Sequence, residues 1–326
     1  MRTRIHLLLA LVCALVLLPM GLAAAGQTTA ADPGTDQPPA PATLPADGAF
    51  LTLHLGRTQW SHRDPTCTTI LPNTITLARV AEELKSRGLT AVGHVVVDRT
   101  SDTWERQCEN RFAYASWIDL ARLRDDYGWT FVSGGQSYAN MMTLTPEEQR
   151  AESCGSLEAL NAHGHTRANG LFAYPNNKLT DEIQTNVVEP CFAFGRTYGN
   201  GVNKRSEASH VQSTVSFNGG ACNDPTQPCY TAANRRYALP SEVGAKMQPQ
   251  ANQWTAVQFY RFVLGRRNDP TDPGFAWDCT SPDVNRHWTS KAEIYCWDDY
   301  KLALDQIPSN VIVTDPLSIA EAWGVQ

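Results

Sequence analysis

The chain has 326 residues, of which 18% are charged, and its formal net charge is −6. This mild acidic balance, without a basic stripe or a nucleic-acid-binding motif, argues against a nucleic acid as the partner. Without the N-terminal segments considered next, about 275 residues remain, which suits one α/β barrel or two small domains.

The N-terminal segment has the pattern of a secretory signal peptide. Arg2 and Arg4 precede an apolar run at residues 7–18, and small alanines suited to cleavage follow it. The run is too short for a convincing membrane span, so we expect a signal peptide at residues 1–25 and no membrane span after cleavage; an uncleaved anchor is the alternative. We therefore expect a secreted, extracellular protein, either free or associated with the cell wall.

A linker separates this segment from the folded domain. Residues 26–48 are rich in Pro, Ala and Thr, a composition that cannot bury a core and predicts disorder. Residues 49–326 are then the folded domain.

The chain contains nine cysteines, and Cys13 is lost with the signal peptide. The even number that remains in an exported chain favours disulfides. Zinc binding is disfavoured because no C-x-x-C occurs and the spacings are irregular. Sequence does not determine the pairing, and we predict sequential pairs: Cys67 with Cys108, Cys154 with Cys191, Cys222 with Cys229, and Cys279 with Cys296.

Strand and helix patterns alternate along the domain. The first strand covers residues 50–55, and the first helix covers residues 74–88, where apolar residues recur at helical spacing. The third helix opens with a capping box formed by Thr145 and Glu148. Residues 200–250 are loop-rich and predict no clear element. The other predicted strands cover residues 89–98, 129–135, 170–175, 191–199, 254–263 and 310–314, and the other helices cover residues 115–128, 145–164, 298–307 and 315–324.

This alternation predicts a parallel sheet with right-handed crossovers. About seven strands without a glycine-rich dinucleotide motif favour a single, irregular (β/α) barrel with disulfide-stapled loops. In such a barrel the functional groups follow the C-terminal ends of the strands. His163 and His165 lie between a helix and the next strand, so we place them at the opposite face. The residues at or just after strand ends are His54, Asp98, Gln136, Tyr138, Tyr174, Asn176, Arg196 and Tyr260.

Several segments resemble the motifs of NodB-homology polysaccharide deacetylases, the carbohydrate esterase family 4 type. Residues 128–148, GWTFVSGGQSYANMMTLTPEE, align without gaps with a family motif of the form GWEIGSHTxxH and the capped helix after it. Residues 171–177, LFAYPNN, resemble the family's F-A-Y-P-Y-G. Residues 51–57, LTLHLGR, stand where the family has L-T-F-D-D-G, and residues 254–262 where it has a strand ending in histidine. The resemblance covers most of residues 50–325 and implies a deacetylase-like barrel.

Members of this family remove acetyl groups from N-acetylated sugars in chitin, peptidoglycan or related polymers. The resemblance implies a zinc ion held by one Asp and two His, a second Asp as base and a late His as general acid. At these positions the chain has Leu55 for the metal Asp, Gly134 and Tyr138 for the metal histidines, His54 for the base and Tyr260 for the late His. Because two of the three ligand positions offer no ligand, we expect no metal, no family zinc and no other cofactor.

Our main hypothesis is a deacetylase-like barrel that binds a polysaccharide or cell-wall glycan, or a partner, without metal-dependent deacetylation. Sugar recognition uses aromatic faces for the rings and planar polar groups for the hydroxyls. Whether any catalysis remains is left open. The predicted groove residues are Arg57, Gln136, Tyr138, Tyr174, Asn176, Arg196 and Tyr260, to which Trp60 can add an aromatic face.

The alternative hypothesis is an active hydrolase of N-acetyl or ester bonds with a rebuilt site. His54 would act as the base, Asp98 would orient its ring, and Tyr138 or Tyr260 would donate to an oxyanion. A metal site built from His54, Asp98 and His94 is a variant of this hypothesis, and an envelope scaffold without a small ligand is a third possibility. The non-functional interpretation makes His54 and His94 hydrogen-bonded core residues.

Overall fold

Seven parallel strands pair into a closed ring, as the alternating pattern predicts. The computed structural model describes residues 43–63, 66–70, 74–109, 112–207, 210–217, 240–264 and 294–325. These residues belong to one compact unit, Thr43–Gln326. The strands are β1 (Ala49–Leu55), β2 (Gln59–His62), β3 (Thr74–Ile75), β4 (Val92–Val95), β5 (Cys108–Glu109), β6 (Phe112–Tyr114), β7 (Thr130–Ser133), β8 (Leu171–Ala173), β9 (Phe194–Tyr198), β10 (Val202–Lys204), β11 (Val211–Ser216), β12 (Gln253–Phe259), β13 (Arg261–Val263), β14 (Ile294–Cys296) and β15 (Ile312–Val313).

The ring runs β1-β4-β7-β8-β9-β11-β12 and closes where β12 pairs with β1. That closing pair is in register along the whole of β1, from Ala49 opposite Gln253 to Leu55 opposite Phe259. β15 pairs in parallel beside β1, and β10 pairs antiparallel with β12. Two small sheets, β2-β6-β5 and β14-β13-β3, flank the barrel.

Helices follow the barrel strands and begin at clear caps. Thr145 and Glu148 form the predicted capping box, with Pro146 in the first turn. Asp315 caps the last helix, accepting from the Ser318 amide at 3.1 Å. The helices are α1 (Leu77–Ser86), α2 (Trp117–Tyr127), α3 (Pro146–Arg150), α4 (Ser156–Ala162), α5 (Asp181–Ile183), α6 (Pro240–Lys246), α7 (Trp297–Leu304) and α8 (Pro316–Trp323), and π-helical turns at Ala151–Gly155 and Gln184–Val188 extend α3 and α5.

The alternation of side chains along β1 separates two cores. Leu51, Leu53 and Leu55 belong to the apolar layer that includes the buried face of α1. Phe50 belongs to a second cluster, with Trp254 from β12 and side chains of α8. Thr52 and His54 share the face of Phe50 and therefore lie inside the barrel.

An apolar plug closes the N-terminal end of the barrel. Trp323 of α8 packs edge-on against Phe50 and Trp254, with ring centroids 6.3 Å and 6.2 Å away. Phe194 of β9 packs on Trp254 at 5.3 Å. The polar part of the interior is therefore confined to the C-terminal ends of the strands, where the sequence places the candidate site.

The seventh barrel strand differs from the prediction. The ring contains β11, from the stretch that predicted no clear element, whereas the predicted strand at residues 310–314 forms β15 outside the ring. β11 reads VQSTVS, and its register with β9 and β12 places Gln212, Thr214 and Ser216 on the inward face. A strand that lines a polar interior lacks the apolar pattern by which buried strands are recognised.

Two boundaries also differ from the prediction. The apolar run at residues 254–263 breaks at Tyr260, after which β13 joins a separate sheet. The last predicted linker residues belong to the fold, because Leu44 packs against the plug and the Asn252 amide donates to the Asp47 carbonyl at 3.0 Å.

Two of the predicted disulfides are present. Cys67 bonds to Cys108 and Cys154 bonds to Cys191. Cys296 is also disulfide-bonded. The predicted partner of Cys296, Cys279, and the predicted pair Cys222 and Cys229 lie outside the described residues. Within the described part of the chain, no helix has the length and apolar character needed to cross a membrane.

The plug gives the first prediction. Trp323→Ala should lower the free energy of unfolding by about 3 kcal/mol, because it empties the space between Phe50 and Trp254. Chemical denaturation followed by circular dichroism measures this loss. Leu302→Ala, at a position 36% exposed, is the matched control and should change stability by less than about 0.5 kcal/mol. Equal losses in both variants would contradict the role of the plug.

Candidate functional site

His54 lies inside the barrel with both ring nitrogens engaged. Its side chain is fully buried. Nε2 lies 2.7 Å from the Thr52 hydroxyl oxygen, and Nδ1 lies 2.7 Å from Nε2 of His94 on the neighbouring strand. The ring therefore has no nitrogen free for a substrate or a metal ion.

The two histidines belong to a chain of hydrogen bonds that crosses the barrel. At one end, Trp254 Nε1 donates to the Thr52 hydroxyl at 2.8 Å. At the other, Arg196 Nη2 of β9 donates to His94 Nδ1 at 3.2 Å. This interior chain consists of Trp254, Thr52, His54, His94 and Arg196.

Donor and acceptor roles along the interior chain follow from its ends. Arginine is a donor only, so His94 Nδ1 must accept, and in the neutral ring Nε2 carries the proton. His94 then donates to His54, whose own Nε2–H donates to Thr52.

Burial, followed by the nearby charge of Arg196, lowers the pKa of His54 to about 3 and that of His94 well below its usual value. Both rings are therefore neutral at neutral pH.

The residues at the family's metal positions do not fit a zinc ion. Leu55 belongs to the outer apolar core. A Cβ at Gly134 would lie 3.1 Å from the Val95 carbonyl oxygen, so this position is tight for any side chain. In the described ranges, no three or more His, Cys, Asp or Glu side chains come together as a group that could hold a metal ion.

Aromatic rings and guanidinium groups alternate across the C-terminal mouth of the barrel. The Arg57 guanidinium lies between Tyr260 and Tyr138, at 5.1 Å and 5.5 Å from their ring centroids. Arg99 continues the stack, 5.4 Å from both Tyr138 and Tyr114. We call these five residues the mouth stack. Such stacking contributes about 0.5–1 kcal/mol per contact at exposed sites.

Left-handed backbone conformations concentrate at this mouth. Arg57 and Tyr138, which stack on each other, have φ values of 56° and 70°. After β8, Asn176 and Asn177 have φ values of 52° and 58°. Non-glycine residues in this region cost free energy and persist only where the surroundings impose them. The loops after β1, β7 and β8 therefore hold these side chains in fixed positions around the mouth of the barrel.

A buried carboxylate holds the loop that carries Tyr138. Glu152, on the π-helical turn Ala151–Gly155, is only 4% exposed. It accepts from the Ser137 amide at 3.0 Å, the Ser137 hydroxyl at 2.9 Å and the Ala139 amide at 3.0 Å. At Gly135, φ is +98° and a Cβ would lie 2.3 Å from Glu152 Oε1, so only glycine allows this approach.

Two tyrosines meet beside Arg196. The hydroxyl groups of Tyr198 and Tyr260 form a short hydrogen bond, and Gln258 Nε2 donates to the Tyr198 oxygen at 3.2 Å. Burial, followed by the Tyr198 oxygen, raises the pKa of Tyr260, so Tyr260 is the donor. Burial alone would raise the pKa of Tyr198, but the Arg196 charge and the hydrogen bonds from Tyr260 and Gln258 outweigh it and lower that pKa.

The predicted catalytic pair is not assembled. Asp98 does not orient His54; its carboxylate is exposed and accepts from Gln136 Nε2 at 2.6 Å. The ring of His54 is instead fixed by Thr52 and His94. His94 and Asp98 are four residues apart and would share a face only if the strand continued through both. β4 ends at Val95, so Asp98 does not lie on the inward face with His94.

The predicted groove residues divide into two sets. Arg57, Tyr138 and Tyr260 form the mouth, with Arg196 beneath it, and Gln136 and Asn176 lie in the surrounding loops. Tyr174 lies elsewhere: it is 2% exposed, its hydroxyl donates to Gln184 at 2.7 Å, and burial raises its pKa. Trp60 is half-buried with the Arg106 guanidinium 4.1 Å from its ring, so this aromatic face is covered.

Sequence reasoning missed Tyr198, Gln258, Arg99 and Glu152. Tyr198 and Gln258 lie two and four residues beyond Arg196 and Trp254 on the same strand faces, so alternation could have found them. Glu152 carries no such signal, because its position depends on the π-helical turn.

Comparison with known proteins gives structural similarity alone. Neither a protein-family profile nor a curated protein sequence matches this chain. The similar solved structures include a Streptococcus pyogenes deacetylase in complex with acetate, with TM-score 0.39 and 12% identity over 50% of this chain and 62% of that one. A family 4 carbohydrate esterase from Streptomyces lividans in complex with acetate has TM-score 0.33 and 10% identity over 65% of this chain and 79% of that one.

A third structure is a mutant of a family 4 pseudoenzyme with restored enzymatic activity, with TM-score 0.39 and 13% identity over 82% of this chain and 66% of that one. The chain is similar to carbohydrate esterases of family 4. It spans less than two thirds of the streptococcal deacetylase. These similarities are low, and the barrel itself is established by its own strand pairing.

The interior chain predicts a dependence of stability on pH. The pKa of His54 falls from 6.5 to about 3 on folding, so its contribution is complete above pH 6.5 and is lost as pH falls toward 3. When the pH falls from 7.5 to 4.5, His54 becomes protonated in the unfolded chain but stays neutral in the folded one. This difference should lower the free energy of unfolding by about 2–3 kcal/mol.

The variant His54→Gln, which cannot be protonated, should show a correspondingly smaller loss in urea unfolding at the two pH values. His163→Gln removes an imidazole from an exposed position and is the matched control, expected to keep the wild-type difference. An unchanged loss in His54→Gln would refute the assignment.

The loop anchor gives another prediction. Glu152→Gln should destabilise the fold by about 1–3 kcal/mol, because the amide nitrogen cannot accept from the Ser137 and Ala139 amides. Thermal unfolding measures the loss, and faster proteolysis within residues 136–140 should accompany it. Glu147→Gln, exposed on α3, is the control and should lie within about 0.5 kcal/mol of wild type.

Proposed function

We propose that this protein is a secreted barrel that binds extracellular glycan at its mouth and does not carry out metal-dependent deacetylation. The observation that supports this proposal most is the state of His54. The residue at the position of the family's catalytic base is fully buried, neutral, and bonded through both nitrogens to other side chains. A general base must reach the proton that it removes, and His54 reaches only Thr52 and His94.

The ligand positions support the same proposal. A catalytic zinc ion needs three protein ligands and an open position for water. Leu55 faces the outer core, and Gly134 has no side chain and little room for one. We therefore propose that the family zinc is absent from this protein.

The mouth stack supports glycan binding. Tyr138 and Tyr260 present ring faces separated by the Arg57 guanidinium, and the loops around them supply the amides of Gln136 and Asn176. Rings for stacking and planar groups for hydroxyls are the elements of a sugar-binding surface. The imposed backbone at Arg57 and Tyr138 indicates that these side chains are held ready for a ligand.

The alternative, a hydrolase rebuilt around His54, has less support. It requires an accessible His54 with Asp98 at its ring, whereas His54 is buried and Asp98 is bonded to Gln136. Export to the extracellular space remains part of the proposal, and the disulfides are compatible with it.

Two assays of the purified protein test the loss of chemistry. After dialysis against zinc and then buffer, elemental analysis should find far less than one zinc per chain. Incubation with N-acetylglucosamine oligomers should release no acetate above background, with or without added zinc. Stoichiometric zinc or sustained acetate release would refute the loss of chemistry.

A glycan array tests binding. The protein should retain at least one class of extracellular glycan, and Tyr138→Ala should weaken that binding about tenfold by removing a stacking face. Tyr127→Ala is the control, because Tyr127 ends α2 just before β7 begins and so lies at the opposite end of the barrel. Binding that Tyr138→Ala leaves unchanged would remove the mouth from the proposed function.

A further inference from the structure

Among the described residues, Arg196 is a buried cation without an acidic partner. The residue is 5% exposed on β9, and its Nη2 donates to a neutral histidine, His94. Its Nε and Nη1 atoms are buried and have no hydrogen-bond partner in the described part of the chain. Burying a charge without a counter-charge is unfavourable, so a cation retained at this position points to an anion that pairs with it.

Polar groups from the next two strands face the same part of the interior. Thr214 of β11 and Gln258 of β12 are fully buried, and Thr214 Oγ1 and Gln258 Oε1 have no partner among the described residues. Thr214 is in register with Tyr198 on β9, and Gln258 with Ser216, whose hydroxyl is also unpartnered. A carbonyl oxygen and hydroxyl groups suit the hydroxyls of a ligand, whereas Arg196 suits its negative charge.

Tyr198 covers this group from the solvent side. Its ring centroid lies 4.5 Å from the Arg196 guanidinium carbon, and the residue is 38% exposed at the last position of β9. Hydrogen bonds to Tyr260 and Gln258 hold its hydroxyl in place. Displacing one exposed side chain would therefore open Arg196 to the mouth stack. The charge of Arg196 also lowers the pKa of Tyr198, as expected where the surroundings favour a negative charge.

We propose that the glycan bound at the mouth is acidic and that a sugar carboxylate pairs with Arg196 after displacing the ring of Tyr198. The inference rests on the proposed function and adds the class of ligand, a saccharide that contains uronic acid. The hydroxyls of that sugar would bond to Gln258 and Thr214, and the following units would lie along Arg57 and Tyr138. A neutral saccharide could use the rings but would leave Arg196 unpaired.

Calorimetric titrations with three tetrasaccharides test the charge requirement. Tetragalacturonate carries four carboxylates, its methyl ester keeps the rings without the charge, and tetra-N-acetylchitotetraose represents the neutral family substrates. We expect tetragalacturonate to bind about tenfold or more tightly than its ester, since a hydrogen-bonded ion pair is lost. This advantage should shrink as salt is raised, although less than for a surface contact.

Substitutions locate the contact. Arg196→Gln should remove the preference for tetragalacturonate over its ester, while Arg196→Lys, which keeps the charge, should retain part of it. Tyr198→Phe removes the hydroxyl whose hydrogen bonds hold the ring against Arg196. The ring is then easier to displace, so this variant should bind tetragalacturonate severalfold more tightly. Arg205→Gln, an exposed arginine that follows β10, is the matched control and should behave as wild type.

The outcomes separate the two proposals. Equal binding of the acid and its ester, or a full acid preference in Arg196→Gln, would overturn the inference while leaving glycan binding intact. Preferential binding of tetra-N-acetylchitotetraose would likewise overturn the preference for an acidic saccharide and leave glycan binding intact. If no saccharide, on the array or in titration, binds the wild-type protein, the proposed function fails with it.

Discussion

The interior chain of hydrogen bonds is the constraint on which the site depends. It joins β12, β1, β4 and β9 across the barrel through Trp254, Thr52, His54, His94 and Arg196. Arginine cannot accept a hydrogen bond, so Arg196 sets the direction of donation from His94 through His54 to Thr52. Both ring nitrogens of each histidine are engaged, and a buried network of this kind rigidifies the core that contains it. It fixes His54, His94 and Arg196 inside the barrel, and Arg196 lies beneath the mouth.

Two sets of contacts hold the residues of the mouth in place. Beneath it, Arg196 is fixed by His94 and covered by Tyr198. Around it, Glu152 holds the loop that presents Tyr138 against Arg57. Both sets of contacts hold charge and ring faces in fixed positions at the mouth. This arrangement supports the proposal that the mouth recognises a ligand.

Much of the fold could be predicted from the sequence. Apolar strands, amphipathic helices and capping residues are local signals, and six of the seven barrel strands follow from them. Both described disulfide pairs match the sequential pairing that was predicted, although the sequence alone did not determine it. β11 could not be recognised because its inward residues are polar. The site was predicted less well. The position of His54 was evident, but its partners were not, since the pairing of His54 with His94 depends on the stagger of two strands. Tyr174 follows the end of a barrel strand, which predicts a groove position, but its side chain is buried in the core. Tertiary packing decides between these positions, and the local sequence does not show it.

The bridge between Cys154 and Cys191 joins the π-helical turn Ala151–Gly155, which follows β7, to the turn just after the π-helical segment Gln184–Val188, which follows β8. Glu152, which fixes the Tyr138 loop, lies two residues before Cys154 on the same turn. Formation of this disulfide, which requires an oxidising environment, therefore restrains the same turn that holds the Tyr138 loop through Glu152.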